Sequence, residues 1–334
     1  MFQTPFHKEN LSKYSFLVTG GAGFIGSNLV EYLLKYNAGK VKVLDNLSTG
    51  FYHNIAAFEE HPSFEFIEGD IRNPETCQKA CKGVDIVFHQ AALGSVPRSI
   101  NDPITSNEVN VNGFLNMLVA VKDQSVKRMV FASSSSVYGD NQELPKMEDK
   151  VGNALSPYSV SKKINEMYAD VFSKIYGVNL IGLRYFNVFG PRQNVQGAYA
   201  AVIPRFIEAF LTGGKIIFHG DGSQSRDFTF VENAVQANIK AAFTDNPKAL
   251  NTIYNAAFGE TISLIGVFEK LQEISGNKEI QPEIHPKRVG DIQDSLANIS
   301  KAKSLLGYEP AIKVSQGLEI TFNWYKFNLE SIKK

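Results

Sequence analysis

Cysteine is nearly absent. Only Cys77 and Cys81 carry thiols in the 334-residue chain, four positions apart within PETCQKACKG. That spacing makes neither a disulfide framework nor a C-x-x-C redox pair, so both read as small helix residues in a reducing cytoplasm. An excess of charge is missing too, because 34 Lys and Arg balance 34 Asp and Glu. No overall field then draws nucleic acid or an anionic membrane, and an anionic ligand has to be held by local arginines and backbone amides. No apolar run approaches the length of a membrane span, and the opening MFQTPFHKENLSKYS lacks the apolar core of a signal peptide. Repeats and low-complexity linkers are also missing. At roughly 100–200 residues per domain, the length fits two lobes packed directly together.

What is present is an alternation. Short apolar runs stand at FLVT (16–19), VKVL (41–44), FEFI (64–67), IVFH (86–89), MVFA (129–132) and LIGL (180–183). Helix-length segments separate them at 24–34, 74–82, 103–122 and 157–176. Strands alternating with helices indicate a parallel sheet covered on both faces. The expected fold is therefore α/β, a doubly wound parallel sheet over residues 1–187 with a smaller C-terminal α/β lobe over 188–334, the chain crossing between them. In the second part the strand candidates are 215–218, 226–230 and 252–255. The helix candidates are 199–211, 231–243 and 263–275, and HGDGSQSRD (219–227) reads as a loop.

The first strand runs into TGGAGFIG (19–26), whose glycines at 20, 23 and 26 stand three apart between a strand and a helix. Glycine permits the tight turn and lets the backbone approach a pyrophosphate, while the helix N-terminus offers free amides to the anion. Asp45 follows at the end of the second strand, 19 residues past Gly26, close to the roughly 20 expected of a ribose-binding acid. A carboxylate there accepts from ribose hydroxyls and repels a 2′-phosphate, and the following NLSTG carries no Arg or Lys to offset it. NAD is favoured over NADP. Asp70, in EGDIRN, is placed to meet the adenine.

SPYSVSK (156–162) opens a helix, with proline near its first position. Tyr158 and Lys162 are four apart and share a helix face. A tyrosine with a pKa near 10 is a poor base at neutral pH. An ammonium beside it, together with a positive nicotinamide ring, would favour the phenolate. Upstream, FASSSSVY (131–138) leaves the carboxyl end of a strand, the edge where ligands bind in such sheets. A serine there is placed to bridge a substrate hydroxyl and the tyrosine oxygen.

Together TGGAGFIG, SSSSVYG (133–139), YSVSK (158–162) and RYFNVFGPR (184–192) resemble the extended short-chain dehydrogenase/reductase family over nearly the whole chain. Within it the pattern looks like nucleotide-sugar 4-epimerases. GSVPRSINDPITSNEVN (94–110) is similar to the branch acting on UDP-N-acetylhexosamines and their uronic acids. The resemblance implies Ser134, Tyr158 and Lys162 as the catalytic set, Ser134 being selected by its spacing from Tyr138, with Ser135 and Ser136 as fallbacks. It implies an NAD site made by Gly20, Gly23, Phe24, Ile25, Gly26, Asp45, Asn46, Ser48, Thr49, Gly50, Asp70 and Ile71. Gln90, Ala91, Ala92, Asn110, Ser133, Tyr158, Lys162 and Tyr185 complete it. For a UDP-sugar it implies Asn187 at the diphosphate and sugar, Arg226 and Arg288 at the phosphates, and Asp291 at the uridine ribose. Ala201, Val202, Pro204 and Phe218 would line the uracil end, with Gly94, Ser95, Ser135 and Gln193 near the sugar. No metal is expected.

Members of this kind pass through a 4-keto sugar. A 4,6-dehydratase of the family carries an Asp-Glu pair just after the strand-end hydroxyl, and a decarboxylating relative carries a Glu. Here those places are Ser135 and Ser136. That leaves 4-epimerisation as the expectation, ahead of dehydration or decarboxylation and ahead of a catalytically silent NAD-binding sensor. UDP-glucose epimerases generally carry a bulky tyrosine where this chain has Ser295, in GDIQDSLANISKA. The small serine implies room for a 2-acetamido group. The expected activity is on UDP-GlcNAc and UDP-GalNAc, extending to their uronic acids and to UDP-Glc/UDP-Gal, in a homodimer packed through the helices at 103–122 and 157–176.

Overall fold

The computed structural model describes residues 1–195, 201–287 and 293–332, with side chains through Asn328. Strands β1 (Ser15–Thr19), β2 (Lys40–Asp45), β3 (Phe64–Glu68), β4 (Ile86–His89), β5 (Arg128–Ser134) and β6 (Leu180–Tyr185) form one parallel sheet. The edge strand Thr252–Ala256 pairs beside β6, giving the order Thr252–Ala256, β6, β5, β4, β1, β2, β3. The order reverses between β1 and β4, and that is where a doubly wound sheet opens its ligand crevice.

Alternation along each strand divides the apolar residues between two cores. Phe16, Val18, Val41, Val43, Ile86 and Phe88 point to one face, where Leu29, Val30 and Leu33 of helix Phe24–Lys35 and Val235 and Ile239 of helix Val231–Phe243 cover them. Leu17, Leu44, Val87, Met129 and Phe131 point to the other, under helices Pro74–Cys81, Gly113–Asp123 and Pro157–Tyr176. Cys77 and Cys81 are free thiols buried in this second core, and burial pushes each up to about 12, so they remain protonated packing groups.

Three local readings change. The run at 252–255 belongs to the main sheet as strand Thr252–Ala256, whose Tyr254 and Ala256 pack into the first core. The segment at 103–122 is a short helix Pro103–Asn107, a π-helical turn Glu108–Asn112 and the helix Gly113–Asp123. The run at 226–230 is two short strands, Ser225–Arg226 and Thr229–Phe230, with different partners.

The smaller lobe pairs Ile216–His219 with Pro282–His285 in parallel, and places Ser225–Arg226 between Ile262–Ser263 and Asp294–Ser295. Helices Val202–Thr212, Leu264–Ser275 and Val314–Ile332 close it around Phe206, Phe210, Phe268, Leu271 and Tyr325. No helix among the described residues is long and apolar enough to cross a membrane.

Candidate active site

β1 ends at Thr19, and the chain turns at Gly20 with φ +67°. A Cβ on Gly20 would stand 2.7 Å from the Ala91 nitrogen, and one on Gly26 would stand 2.1 Å from the Gly20 oxygen, so only glycine lets strand, loop and helix approach this closely. The helix that follows, Phe24–Lys35, has Gly23 as its cap and no side chain bonded to its first amides. Those amides and the positive end of the helix form an anion cradle. Asp45 is buried at the end of β2, its carboxylate accepting from the Ala22 and Leu47 amides at 2.9 Å each. Burial raises its pKa, and the amide hydrogen bonds oppose that. Lone pairs remain for ribose hydroxyls. Asp70 is gripped by Arg72 and by the Asn46 amide, at 2.7 and 2.8 Å, and the guanidinium holds its pKa down to about 2.

A cavity of about 500 Å³ runs from this cradle along the carboxyl edge of the sheet to Tyr158. It gathers every NAD-site residue expected from the sequence except Asn110, together with Gly94, Ser134, Ser135 and Asn187. Asn110 lies behind the wall. On the π-helical turn it accepts from the Leu93 amide at 2.8 Å and donates to the Leu93 carbonyl and the Ser161 hydroxyl, pinning the loop that does reach the cavity. Leu44, Gly69, Leu93, Val109, Ala132 and Val188 also line the cavity, and the sequence reading missed them. All but Val109 lie at strand ends or just past them, which was the available signal.

At the far end, Pro157 opens helix Pro157–Tyr176, and Ser156 caps it by accepting from the Ser159 amide at 3.1 Å. Ser134 ends β5, accepts from the Ser136 amide at 3.1 Å and lines the same cavity as Tyr158. Lys162 has two neighbours here. Its Nζ donates to the Ala132 carbonyl at 2.8 Å and stands 5.9 Å from the Tyr158 ring centroid. Burial pushes the Tyr158 phenol up, the Ser134 hydroxyl nearby opposing, and burial pushes Lys162 down to about 8. His89, also buried, is lowered to about 3 by desolvation and by Lys162, so it stays neutral against Thr19 Oγ1 at 2.8 Å.

The Lys162 shift has a checkable sign. Below pH 8 the folded protein carries a buried ammonium that the unfolded chain solvates, and this cost disappears as pH rises from about 8 to the ordinary 10.5. In cofactor-free protein the parent should gain on the order of 3 kcal/mol on Lys162→Met over that interval, read from urea midpoints at pH 7 and 10.5.

Asn187 lines this cavity and a second one of about 260 Å³ in the smaller lobe, with Val202, Arg205, Lys215, His219 and Arg226 among its walls. Asn187 holds φ +37°, uncommon for a non-glycine residue, and donates to the Asp227 carbonyl at 3.1 Å. The fully buried Asp227 carboxylate, absent from the sequence reading, accepts from the Phe258, Gly259 and Ala297 amides, and desolvation raises it to about 7.

Other expected substrate residues lie off these walls. Phe218 is buried against Phe206 and Phe268, because strand alternation turns Ile217 and His219 towards the cavity instead. Pro204 is buried in helix Val202–Thr212, and Ala201 is its exposed cap. Ser95 caps helix Val96–Asn101, accepting from the Arg98 amide at 3.1 Å. Gln193 donates to the Val188 carbonyl at 3.1 Å. Ser295 pairs in register with Arg226. Arg288 and Asp291 fall outside the described residues.

A phenol beside a serine hydroxyl at one end of a dinucleotide-shaped cleft can exchange a proton with a bound alcohol while hydride moves to an oxidised ring. The comparisons agree with that chemistry. The family model described as "NAD dependent epimerase/dehydratase family" matches residues 16–257. The UDP-glucose 4-epimerase of Mycolicibacterium smegmatis is 35% identical over 312 residues, covering 93% of this chain and 98% of that protein. Among solved structures, the UDP-N-acetylglucosamine 4-epimerase of Methanobrevibacter ruminantium, in complex with UDP-N-acetylmuramic acid, superposes with a TM-score of 0.88 at 38% identity, covering 93% and 98% of the two chains. The UDP-glucuronic acid 4-epimerase of Bacillus cereus, with UDP-glucuronic acid and NAD, gives 0.86 at 32% identity, covering 94% and 99%. The chain belongs to the NAD-dependent epimerase/dehydratase family, among the extended short-chain enzymes that work as NAD-dependent nucleotide-sugar 4-epimerases.

Proposed function

We propose that this enzyme interconverts UDP-N-acetylglucosamine and UDP-N-acetylgalactosamine, extending to the corresponding uronic acids and to UDP-glucose/UDP-galactose. The observation that carries the reading is the place of Ser295. It is half-buried on a two-residue strand directly beside Arg226, whose side chain lines the second cavity. Ser295 itself stays off the cavity wall, so a serine leaves the space past Arg226 to a 2-acetamido group where a bulky tyrosine would extend towards it, and the Methanobrevibacter ruminantium relative holds a UDP-linked acetamido sugar.

Tyr158 takes the proton of the sugar 4-hydroxyl, Ser134 shares that hydrogen bond, and Lys162 fixes the end of β5 through the Ala132 carbonyl. Bound NAD supplies a reversible hydride acceptor. The Gly20–Gly26 cradle and Asp45 hold it. Asn187 and Arg226 hold the diphosphate, whose negative charge suits the guanidinium fork. With serines at 135 and 136, no carboxylate stands there to eliminate water from the 4-keto sugar. It turns over and takes the hydride back on its other face.

Ser295→Tyr should suppress kcat/KM for UDP-GlcNAc at least tenfold while sparing UDP-glucose. Equal losses on both sugars count against the gate. The enzyme works as a homodimer in this reading, because helix Pro157–Tyr176 exposes Val160, Met167, Val171 and Ile175 along one stripe, with Ile100 and Ile104 exposed on the two short helices packed against it. Light scattering should give twice 37.0 kDa.

A further inference from the structure

Three polar side chains from separate elements close a ring behind the Tyr158 end of the larger cavity. Asn238, on helix Val231–Phe243, donates from Nδ2 to the Tyr185 hydroxyl at 2.7 Å. The Tyr185 hydroxyl donates to Gln90 Oε1 at 3.1 Å. Gln90 Nε2 donates back to Asn238 Oδ1 at 3.2 Å. The direction of the ring is set from outside it. Asn238 Nδ2 also donates to the Ala234 carbonyl at 2.8 Å, so the amide nitrogen must face that carbonyl and the oxygen must face Gln90. Each member donates once and accepts once within the ring, an arrangement in which hydrogen bonds reinforce one another in a low-dielectric setting.

Its place is specific. Tyr185 stands directly opposite Ser134 in the β5–β6 register, and Tyr185 and Gln90 line the cavity that holds Tyr158 and Lys162. Asn238 is fully buried and does not reach that cavity. It comes from the C-terminal half of the chain and makes no part of the glycine-loop or Y-x-x-x-K motifs. The tyrosine ring is thus a wall whose hydroxyl is fastened from behind. Burial also raises the Tyr185 phenol to about 12, and its proton is committed to Gln90. The site therefore has a second phenol that does not compete with Tyr158 for the substrate proton.

We propose that Asn238 is a positioning residue for cofactor retention, holding Tyr185 through this ring as a rigid wall of the NAD site. A 4-epimerase regenerates its oxidised cofactor in each cycle, so a dinucleotide that leaves in the reduced form strands the enzyme. A fastened wall at the redox end opposes that loss.

The test uses Asn238→Leu, which keeps the branched shape and removes both ring hydrogen bonds and the one to Ala234, and Tyr185→Phe, which keeps the ring and removes its oxygen. Each variant is reconstituted with NAD and dialysed, NAD retained per chain is measured, and the dissociation constants of NAD and NADH are obtained by titration. Both variants should bind NAD at least tenfold more weakly, and the NADH released into solution during turnover should rise several-fold. A dissociation constant within twofold of the parent in either variant overturns the proposal. A fall in thermal stability of cofactor-free Asn238→Leu with unchanged NAD affinity marks a purely structural residue and also overturns it. If Asn238→Leu does not fold, Tyr185→Phe decides alone by the same criterion. The readout is cofactor affinity and does not depend on which sugar the enzyme prefers.

Discussion

Tyr158→Phe should leave NAD bound and cut turnover of UDP-sugars by roughly 10²–10⁴-fold, the range lost when a general acid–base group is removed. The phenol lines the cavity that holds the dinucleotide cradle, together with Ser134, whereas the other cavity tyrosine, Tyr185, is engaged by Gln90 and Asn238. Phenylalanine keeps the ring and its packing, so lost activity with full NAD content isolates the proton transfer. Burial holds the Tyr158 phenol above its ordinary value in the cofactor-free cavity. The base form therefore depends on positive charge arriving with NAD, and parent kcat should rise with pH before levelling. Initial rates by product separation, with NAD measured on the same sample, check both. Near-parental turnover in Tyr158→Phe would remove the mechanism.

The largest loss of stability is expected at Arg184→Met. Arg184 is 3% exposed and grips Glu166 with two parallel hydrogen bonds, Nε to Oε1 at 2.9 Å and Nη2 to Oε2 at 2.8 Å. It also donates to the Glu148 carbonyl at 2.9 Å and lies 4.8 Å from the Tyr138 ring centroid. Removing the guanidinium leaves the largely buried Glu166 carboxylate hydrogen-bonded to the Ser133 hydroxyl, 2.5 Å away, with the Lys162 charge acting on it from a distance. Breaking a buried pair from one side costs about 3–5 kcal/mol, whereas replacing both members by apolar groups of similar size is often close to neutral. Urea denaturation should therefore show a large fall for Arg184→Met and substantial recovery in Arg184→Met/Glu166→Leu. A double variant as unstable as the single one would mean that the contact to Glu148 and the packing on Tyr138 carry the stability, and the ion pair does not. Because Ser133 precedes Ser134, the single variant should lose activity before it unfolds.

Much of this was legible in the sequence because it is local. A strand, a glycine turn and a helix follow one another without interruption at 15–35, and an acid at a fixed distance completes the dinucleotide half. Tyr158 and Lys162 share a helix face by spacing alone. What was hidden depends on contacts between distant segments. TIYNA has no local mark assigning it to one sheet over another, and its partner β6 lies some 70 residues earlier. The π-helical turn at Glu108–Asn112 follows no composition signal, and its Asn110 is bonded to Leu93. The family resemblance implies Phe218 at the uracil end, but strand parity puts it in the core. Spacing puts Lys162 beside Tyr158, where its Nζ stands 5.9 Å from the ring centroid, but gives no sign that the same Nζ donates to the Ala132 carbonyl. Arg184 opens the motif RYFNVFGPR, but its grip on Glu166 has no mark in sequence, and Glu166, Asp227 and Asn238 had no motif to announce them, since each matters through a partner elsewhere in the chain.

The edge strand at Thr252–Ala256 also bears on how the enzyme is made. Chain emerging from the ribosome through residue 187 already holds β1 to β6, yet β6 then has a bare side of unpaired amides and carbonyls, and its apolar face lacks the cover of helix Val231–Phe243. The sheet is finished only after another 69 residues, to Ala256, have left the exit tunnel, with much of the sugar-binding half synthesised on the way. During that interval the nascent nucleotide-binding half presents a template for pairing with a neighbouring nascent copy, and this is the window in which a chaperone would be needed.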